Sequence, residues 1–194
     1  MIENQYHIVR NALPHDLCDH LILQSFLYNK PDTAKVREDK DSFHTDSTVR
    51  NTEVVFHPCK SDLGKFYKQN ARTANKQANW FFHIDRITDI LFYNFNQGSF
   101  INPTNFISKP FKGSGFHQKQ QKLVCHLALT EPTLYTGGEV VIHDMITNDP
   151  VNVKPVLKKG SLLIFPSFIS YGIKEIIDGK SHHILTVLEG FSFR

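Results

Sequence analysis

The sequence predicts an α+β domain, mainly β, in which N-terminal helices support a sandwich or barrel of short strands. Three observations carry that reading. After Trp80 the spacing of apolar residues changes from a helical period to short runs separated by turn residues. Hydrophobic residues make up 40% and charged residues 21%, with 16 Phe and a single Trp, a balance that suits a β-rich core. A length of 194 residues suffices for one well-buried core, so one domain is expected over 1–194, with 1–79 as helical and strand support and 80–194 as the β core.

Several classes are excluded or disfavoured at once. No apolar run approaches the ~18 residues that a membrane-spanning helix needs, and Met1 to Gln5 lacks a secretory pattern, so an intracellular, cytoplasmic location is expected. Cys18, Cys59 and Cys125 are odd in number and widely spaced, which speaks against a disulfide framework or a zinc finger. The formal charge of +3 is spread along the chain, which disfavours a nucleic-acid partner. The sequence names no partner; a protein stays open and a membrane is not expected.

Taken in order, Leu13, Leu17 and Leu21 recur at helical spacing and predict a first helix starting near Pro14. Residues 29–47 are polar and charged and read as a solvated loop. Val49 to Phe56 reads as a strand, and Ser61 to Gln77 as a helix with Leu63, Phe66 and Tyr67 on one face. Further strands are predicted at Ile87–Asn94, Lys122–Leu129, Gly138–Asp144, Ser161–Pro166 and His183–Glu189. Gly137–Gly138 predicts a tight turn with positive φ. No internal repeat is present.

Residues Gln121 to Pro132, Tyr135 to Ile142 and Gly160 to Phe168, read in order with their spacing, resemble the core of the prolyl 4-hydroxylase-like iron(II)/2-oxoglutarate dioxygenases, including the small PKHD-type and phage-type members. Trp80 to Asp85, Tyr93 to Gly98 and the closing Gly190 to Arg194 extend the resemblance to roughly residues 48–194. It implies a double-stranded β-helix, the jelly-roll or cupin-like fold, and as cofactors iron(II) and 2-oxoglutarate.

In that family a His-x-Asp motif and a distal His hold the iron, and an Arg pairs with the oxo-acid. Two imidazoles and a carboxylate on one face leave coordination positions open for oxo-acid and oxygen, which is why those ligand types are required. Here the His-x-Asp stretch reads Ile101 to Phe106, with Pro103, Thr104 and Asn105 in the motif. The distal His position holds Tyr171, and Gly179-Lys180-Ser181 puts Ser181 in the place of the Arg. The resemblance therefore implies that the two cofactors are not bound in the usual way.

Other polar residues are candidate substitutes. His117 lies in a Gly-rich loop and reads as a pocket-mouth residue or an exposed loop histidine. His126 alternates with Val124 and Ala128, so it either points into the barrel or sits satisfied between neighbours. Lys180, His182 and His183 lie near the expected oxo-acid position and are candidates to pair with an anion, and Tyr93 sits on the strand leading to the degenerate motif. Tyr171 reads as a neutral, hydrogen-bonding phenol. His83-Ile84-Asp85 is a His-x-Asp, but it precedes the Tyr93 strand and reads as a surface or packing segment. Cys125 reads as a small apolar filler.

Three functions follow: a catalytically silent oxygenase-like binding protein, a 2-oxoglutarate-dependent hydroxylase with a rearranged metal site built from His117, His126 or Tyr171, and a phage-type virion or assembly component, because small oxygenase-like proteins of this length resemble those of tailed phages.

Overall fold

The computed structural model describes residues 4–28, 32–33, 36–37, 43–44, 49–106 and 119–191. Its strands, in chain order, are β1 (His7–Val9), β2 (Asp32–Thr33), β3 (Val36–Arg37), β4 (Phe43–His44), β5 (Arg50–Asn51), β6 (Glu53–His57), β7 (Arg86–Phe95), β8 (Phe100–Thr104) and β9 (Lys119–Ala128). They continue with β10 (Tyr135–Gly137), β11 (Val140–His143), β12 (Pro150–Asn152), β13 (Leu162–Pro166), β14 (Tyr171–Ile173), β15 (Ile176–Gly179) and β16 (Ser181–Phe191). The helices are α1 (His15–Tyr28) and α2 (Asp62–Gln77). Among the described residues no helix is long and apolar enough to cross a membrane.

A seven-stranded antiparallel sheet, ordered β1-β13-β9-β16-β7-β6-β2, faces a five-stranded sheet ordered β12-β11-β14-β8-β5. The long strands of the large sheet are apolar on both faces because each face meets a different core. Val124 and Ala128 on β9, Leu163 and Phe165 on β13, Tyr93 and Phe95 on β7, and Leu185 and Val187 on β16 pack toward the small sheet. Their alternating neighbours Leu123, Cys125, Leu127, Ile164, Phe92 and Ile184 pack instead against Cys18 of α1 and Tyr67, Ala71 and Ala74 of α2. Period-2 alternation puts successive side chains on opposite faces, so a doubly covered sheet reads as a continuous apolar run. Each Val, Leu, Ile or Phe among them contributes about 1.5–3 kcal/mol when buried.

α2 starts where Ser61, in extended conformation, accepts a hydrogen bond on Oγ from the Gly64 amide at 3.2 Å. A Cβ on Gly64 would lie 1.9 Å from the Cys59 carbonyl oxygen, so the chain's approach to the helix demands glycine there.

The predicted long strands and both helices are present, with three corrections. Segment 29–47, expected as a loop, carries short strands: β2 pairs with β6, and β3 with β4. Two-residue ladders are too short to impress a period on a polar sequence. The strand expected at Val49–Phe56 is split between the sheets, Arg50 opposite Ile101 and Glu53 opposite Asn94, because Thr52 at the join donates its hydroxyl to the Asn94 carbonyl at 2.8 Å. The strand expected from Gly138 begins at Val140, since Gly137 and Gly138, at φ 76° and 62°, form the predicted turn.

Candidate functional site

The barrel interior is lined by inward-facing residues of β9 and β16 on one side and β14 on the other. His126 on β9 and His183 on β16 are diagonal neighbours, with Leu185 opposite His126 and Ala128 opposite His183. Their rings meet edge to face, centroids 4.7 Å apart, and His126 Nε2 lies 2.7 Å from His183 Nδ1. Tyr171, reaching from the small sheet, places its hydroxyl 2.8 Å from His126 Nδ1. On the far side His183 Nε2 is 2.5 Å from Ser181 Oγ, with the Tyr135 phenol beyond Ser181. The result is a buried row, Tyr171–His126–His183–Ser181, boxed by Phe165, stacked on Tyr171 at 5.1 Å, and Phe95, edge-on to His183 at 5.4 Å.

Proton bookkeeping fixes the direction of the row. Among the described residues, His126 is the only hydrogen-bond partner of the fully buried Tyr171 hydroxyl. Were His126 to donate from Nδ1, the phenol proton would be stranded, at a cost of about 1–3 kcal/mol. Tyr171 therefore donates to His126 Nδ1, His126 donates from Nε2 to His183 Nδ1, and His183 donates from Nε2 to Ser181.

Desolvation keeps every member neutral. Burial lowers His126 to about 3, and it pushes His183 well below the usual imidazole value, with the charges of His126, His182 and Lys154 adding to the effect. Burial also raises the Tyr171 phenol well above 10. At the outer end Lys154 sits 3.9 Å over the Tyr135 ring and donates to the carbonyls of Tyr135, at 3.3 Å, and Gly137, at 2.5 Å.

The residues predicted from the sequence fall into separate places. Tyr171 and Thr104, degenerate metal positions from distant segments, are cross-strand partners on β14 and β8. Tyr171 is buried, whereas Pro103, Thr104 and Asn105 are exposed, so the motif stretch sends no side chain into the row. Ser181, His126 and His183 are brought together. For His126 both readings hold at once: it points inward and is satisfied there.

Tyr93 is buried opposite His183, and its hydroxyl accepts from Arg50 Nη1 at 3.4 Å. Lys180 and His182 do not join the row. Residue alternation turns His182 to the helix side, where its Nδ1 meets Thr130 Oγ1 at 3.2 Å. With Lys180 it lines an outer cleft of about 640 Å³ shared with His15, Asp19 and Lys159. His117 lies outside the described residues. His83 stacks on Phe191 at 4.6 Å, and Asp85 pairs with Lys119, a packing segment as predicted. Cys125 is fully buried in the helix-side core.

Sequence reasoning missed Arg50, Tyr135 and Lys154. Tyr135 stands two residues before the Gly137–Gly138 turn, a position that pins it to the barrel rim. Arg50 and Lys154 sit on short segments with no period.

These residues do not fit an iron(II) triad. Among the described residues no group of three His, Cys, Asp or Glu side chains converges. The two inward imidazoles spend both nitrogens on the row, and the third inward group is a protonated phenol.

A Pseudomonas putida prolyl 4-hydroxylase superposes with a TM-score of 0.69 at 14% identity, over 98% of this chain and 95% of that one. The viral collagen prolyl hydroxylase of Paramecium bursaria Chlorella virus-1, in its 2-oxoglutarate complex, gives 0.64 at 14% identity, over 97% of each chain. A Trichoplax adhaerens prolyl hydroxylase, bound to a hypoxia-inducible-factor peptide, gives 0.71 at 11% identity, over 96% of this chain and 84% of that one. The chain has the fold of these oxygenases. No protein-family model matches it, and no curated protein does either. Within this prolyl-hydroxylase-like fold the five-stranded sheet brings Tyr171 and Thr104 side by side, and the row occupies the space between the sheets.

Proposed function

We propose that this protein is a non-catalytic member of the oxygenase fold, a binding protein whose barrel interior is closed by its own side chains. The observation that supports this reading is the row Tyr171–His126–His183–Ser181, in which each inward donor faces an acceptor. A metal entering there has to break hydrogen bonds that are already buried and satisfied, and it gains no carboxylate in return. Ligand contact then falls to the outside of the barrel. The cleft beside α1 is one such surface, and the other is a depression of about 690 Å³ on the small sheet, lined by Phe100, Pro103, Val141 and Ile177.

Anaerobic titration of the protein with iron(II) in the presence of 2-oxoglutarate tests the reading. A closed interior gives no visible metal-to-ligand charge-transfer band. A band that saturates with one equivalent of iron contradicts it and favours a hydroxylase with a rearranged metal site.

A further inference from the structure

One outer surface is neither cleft nor depression: the solvent face of α2. Between residues 60 and 84, Lys60, Lys65, Lys68, Arg72 and Lys76 are balanced by a single acid, Asp62, so this segment carries a larger positive excess than the +3 of the whole chain. The next acid along, Asp85, is paired with Lys119. In sequence the helical cations stand three or four residues apart and look dispersed. At 3.6 residues per turn that spacing gathers Lys65, Lys68, Arg72 and Lys76 into about a quarter of the helix circumference, in a stripe about 16 Å long. Lys65, Arg72 and Lys76 are exposed and Lys68 is half-buried.

A second observation lies just past the last cation. The helix ends at Gln77, and Phe81 holds a left-handed backbone, φ 52°, with 71% of its surface exposed. Its neighbours Trp80 and Phe82 stack on each other instead, ring centroids 6.4 Å apart. Buried Asn75 fixes this turn: its side chain donates to the Phe82 carbonyl at 2.8 Å and accepts from the Phe82 amide at 3.0 Å. A bulky residue in that backbone region costs free energy, and burial of the ring returns none of it.

We infer that this face of α2 binds single-stranded nucleic acid, with the cationic stripe tracking the phosphates and Phe81 stacking on a base. Charge complementarity selects a polyanion, and the outward aromatic selects one with flat, accessible rings. A membrane surface fits less well, because the apolar side of the helix, Tyr67, Ala71 and Ala74, is committed to the core and leaves nothing to insert. Gln69 and Thr73, exposed beside the stripe, add hydrogen-bond donors for phosphate oxygens. The inference goes beyond the closed-barrel reading and does not depend on it. It also replaces the expectation, drawn from dispersed charge, that nucleic acid is not a partner.

The test titrates the full chain into a fluorescein-labelled oligodeoxythymidylate of about 12 nucleotides and follows anisotropy from about 50 to about 200 mM salt. Phosphate contacts from the four cations of the stripe give a slope of log K against log salt of about −3. Arg72→Ala combined with Lys76→Ala is expected to halve the slope, and Phe81→Ala to weaken binding about tenfold with the slope kept. Lys158→Ala, an exposed cation outside the stripe, is expected to leave both unchanged, and circular dichroism checks that every variant is folded. No binding at the lowest salt, or a slope unmoved by the paired substitution, overturns the nucleic-acid site. Equal affinity for a duplex of the same length, or indifference to Phe81→Ala, overturns its single-strand character. Binding to phosphatidylcholine–phosphatidylserine vesicles that is lost in the paired variant, with no oligonucleotide bound, assigns the stripe to a membrane and overturns the inference. The iron titration tests the barrel interior separately, so the two readings fail independently.

Discussion

The Tyr171 hydroxyl and Nδ1 of His126 lie 2.8 Å apart across the barrel, joining the five-stranded sheet to the seven-stranded one. Tyr171 stands where the resemblance expects the distal iron ligand, and His126 gives it a partner of complementary polarity. The contact ties two sheets that share no backbone ladder, and it does so with neutral groups. In a water-excluded interior a neutral donor–acceptor pair avoids the desolvation cost of burying charge.

That contact predicts energetic coupling. Tyr171→Phe leaves His126 Nδ1 without a donor and is expected to cost about 1–3 kcal/mol. His126→Leu strands the Tyr171 proton and is expected to cost at least as much. In a double-mutant cycle the two changes are expected to be non-additive by about 0.5–3 kcal/mol, measured by urea denaturation. Additive losses would mean that the hydroxyl and the imidazole do not interact.

Acid lability follows from the buried histidines. Burial lowers His126 from 6.5 to about 3, and it lowers His182 to about 4, with the Lys180 charge adding to the effect. The unfolded chain therefore binds protons that the folded chain refuses. Stability is fully present above the unfolded value of 6.5 and is lost as pH falls, through the window from 6.5 down to about 3 for His126 and to about 4 for His182. Each such group adds a slope of about 1.4 kcal/mol per pH unit inside its window. Urea midpoints taken downward from neutral pH are expected to fall, and His182→Asn is expected to flatten the slope by one proton. A slope unchanged in that variant would contradict the assignment.

Tyr67 offers a contrasting case. Its side chain is fully buried among α2, α1 and β9 residues, and among the described residues its hydroxyl has no hydrogen-bond partner. An unmet buried hydroxyl costs about 1–3 kcal/mol. Tyr67→Phe is therefore expected to leave the denaturation midpoint unchanged or raise it, the opposite of Tyr171→Phe. A fall as large as that of Tyr171→Phe would show that the Tyr67 hydroxyl is satisfied.

The large sheet was legible because β7, β9, β13 and β16 bury both faces, which leaves apolar runs bounded by turns. Helix α2 announced itself through Ser61 and the spacing of Leu63, Phe66 and Tyr67. The small sheet was not legible: β14 has three residues around Gly172, and β8 runs through Pro103 with exposed neighbours, so neither carries a period. The motif positions could be aligned to Tyr171 and Ser181 by their spacing from Pro166 and Gly179. That His126 and His183 would bridge them depends on the register between β9 and β16, which brings residues 57 positions apart to 2.7 Å. Pairing of that kind has no local signature. Lys180 and His182 stand apart from the row for the opposite reason, since adjacency to Ser181 and His183 in sequence places His182 on the other face of the strand.

A crystal structure grown with manganese(II) and an unreactive 2-oxoglutarate analogue tests the closed interior most directly. The account predicts that His126 Nε2 and His183 Nδ1 remain at hydrogen-bond distance, 2.7 Å apart, with Tyr171 still on His126 and no ion between the sheets. Density for manganese inside the barrel, held by an imidazole freed from the row, would contradict it.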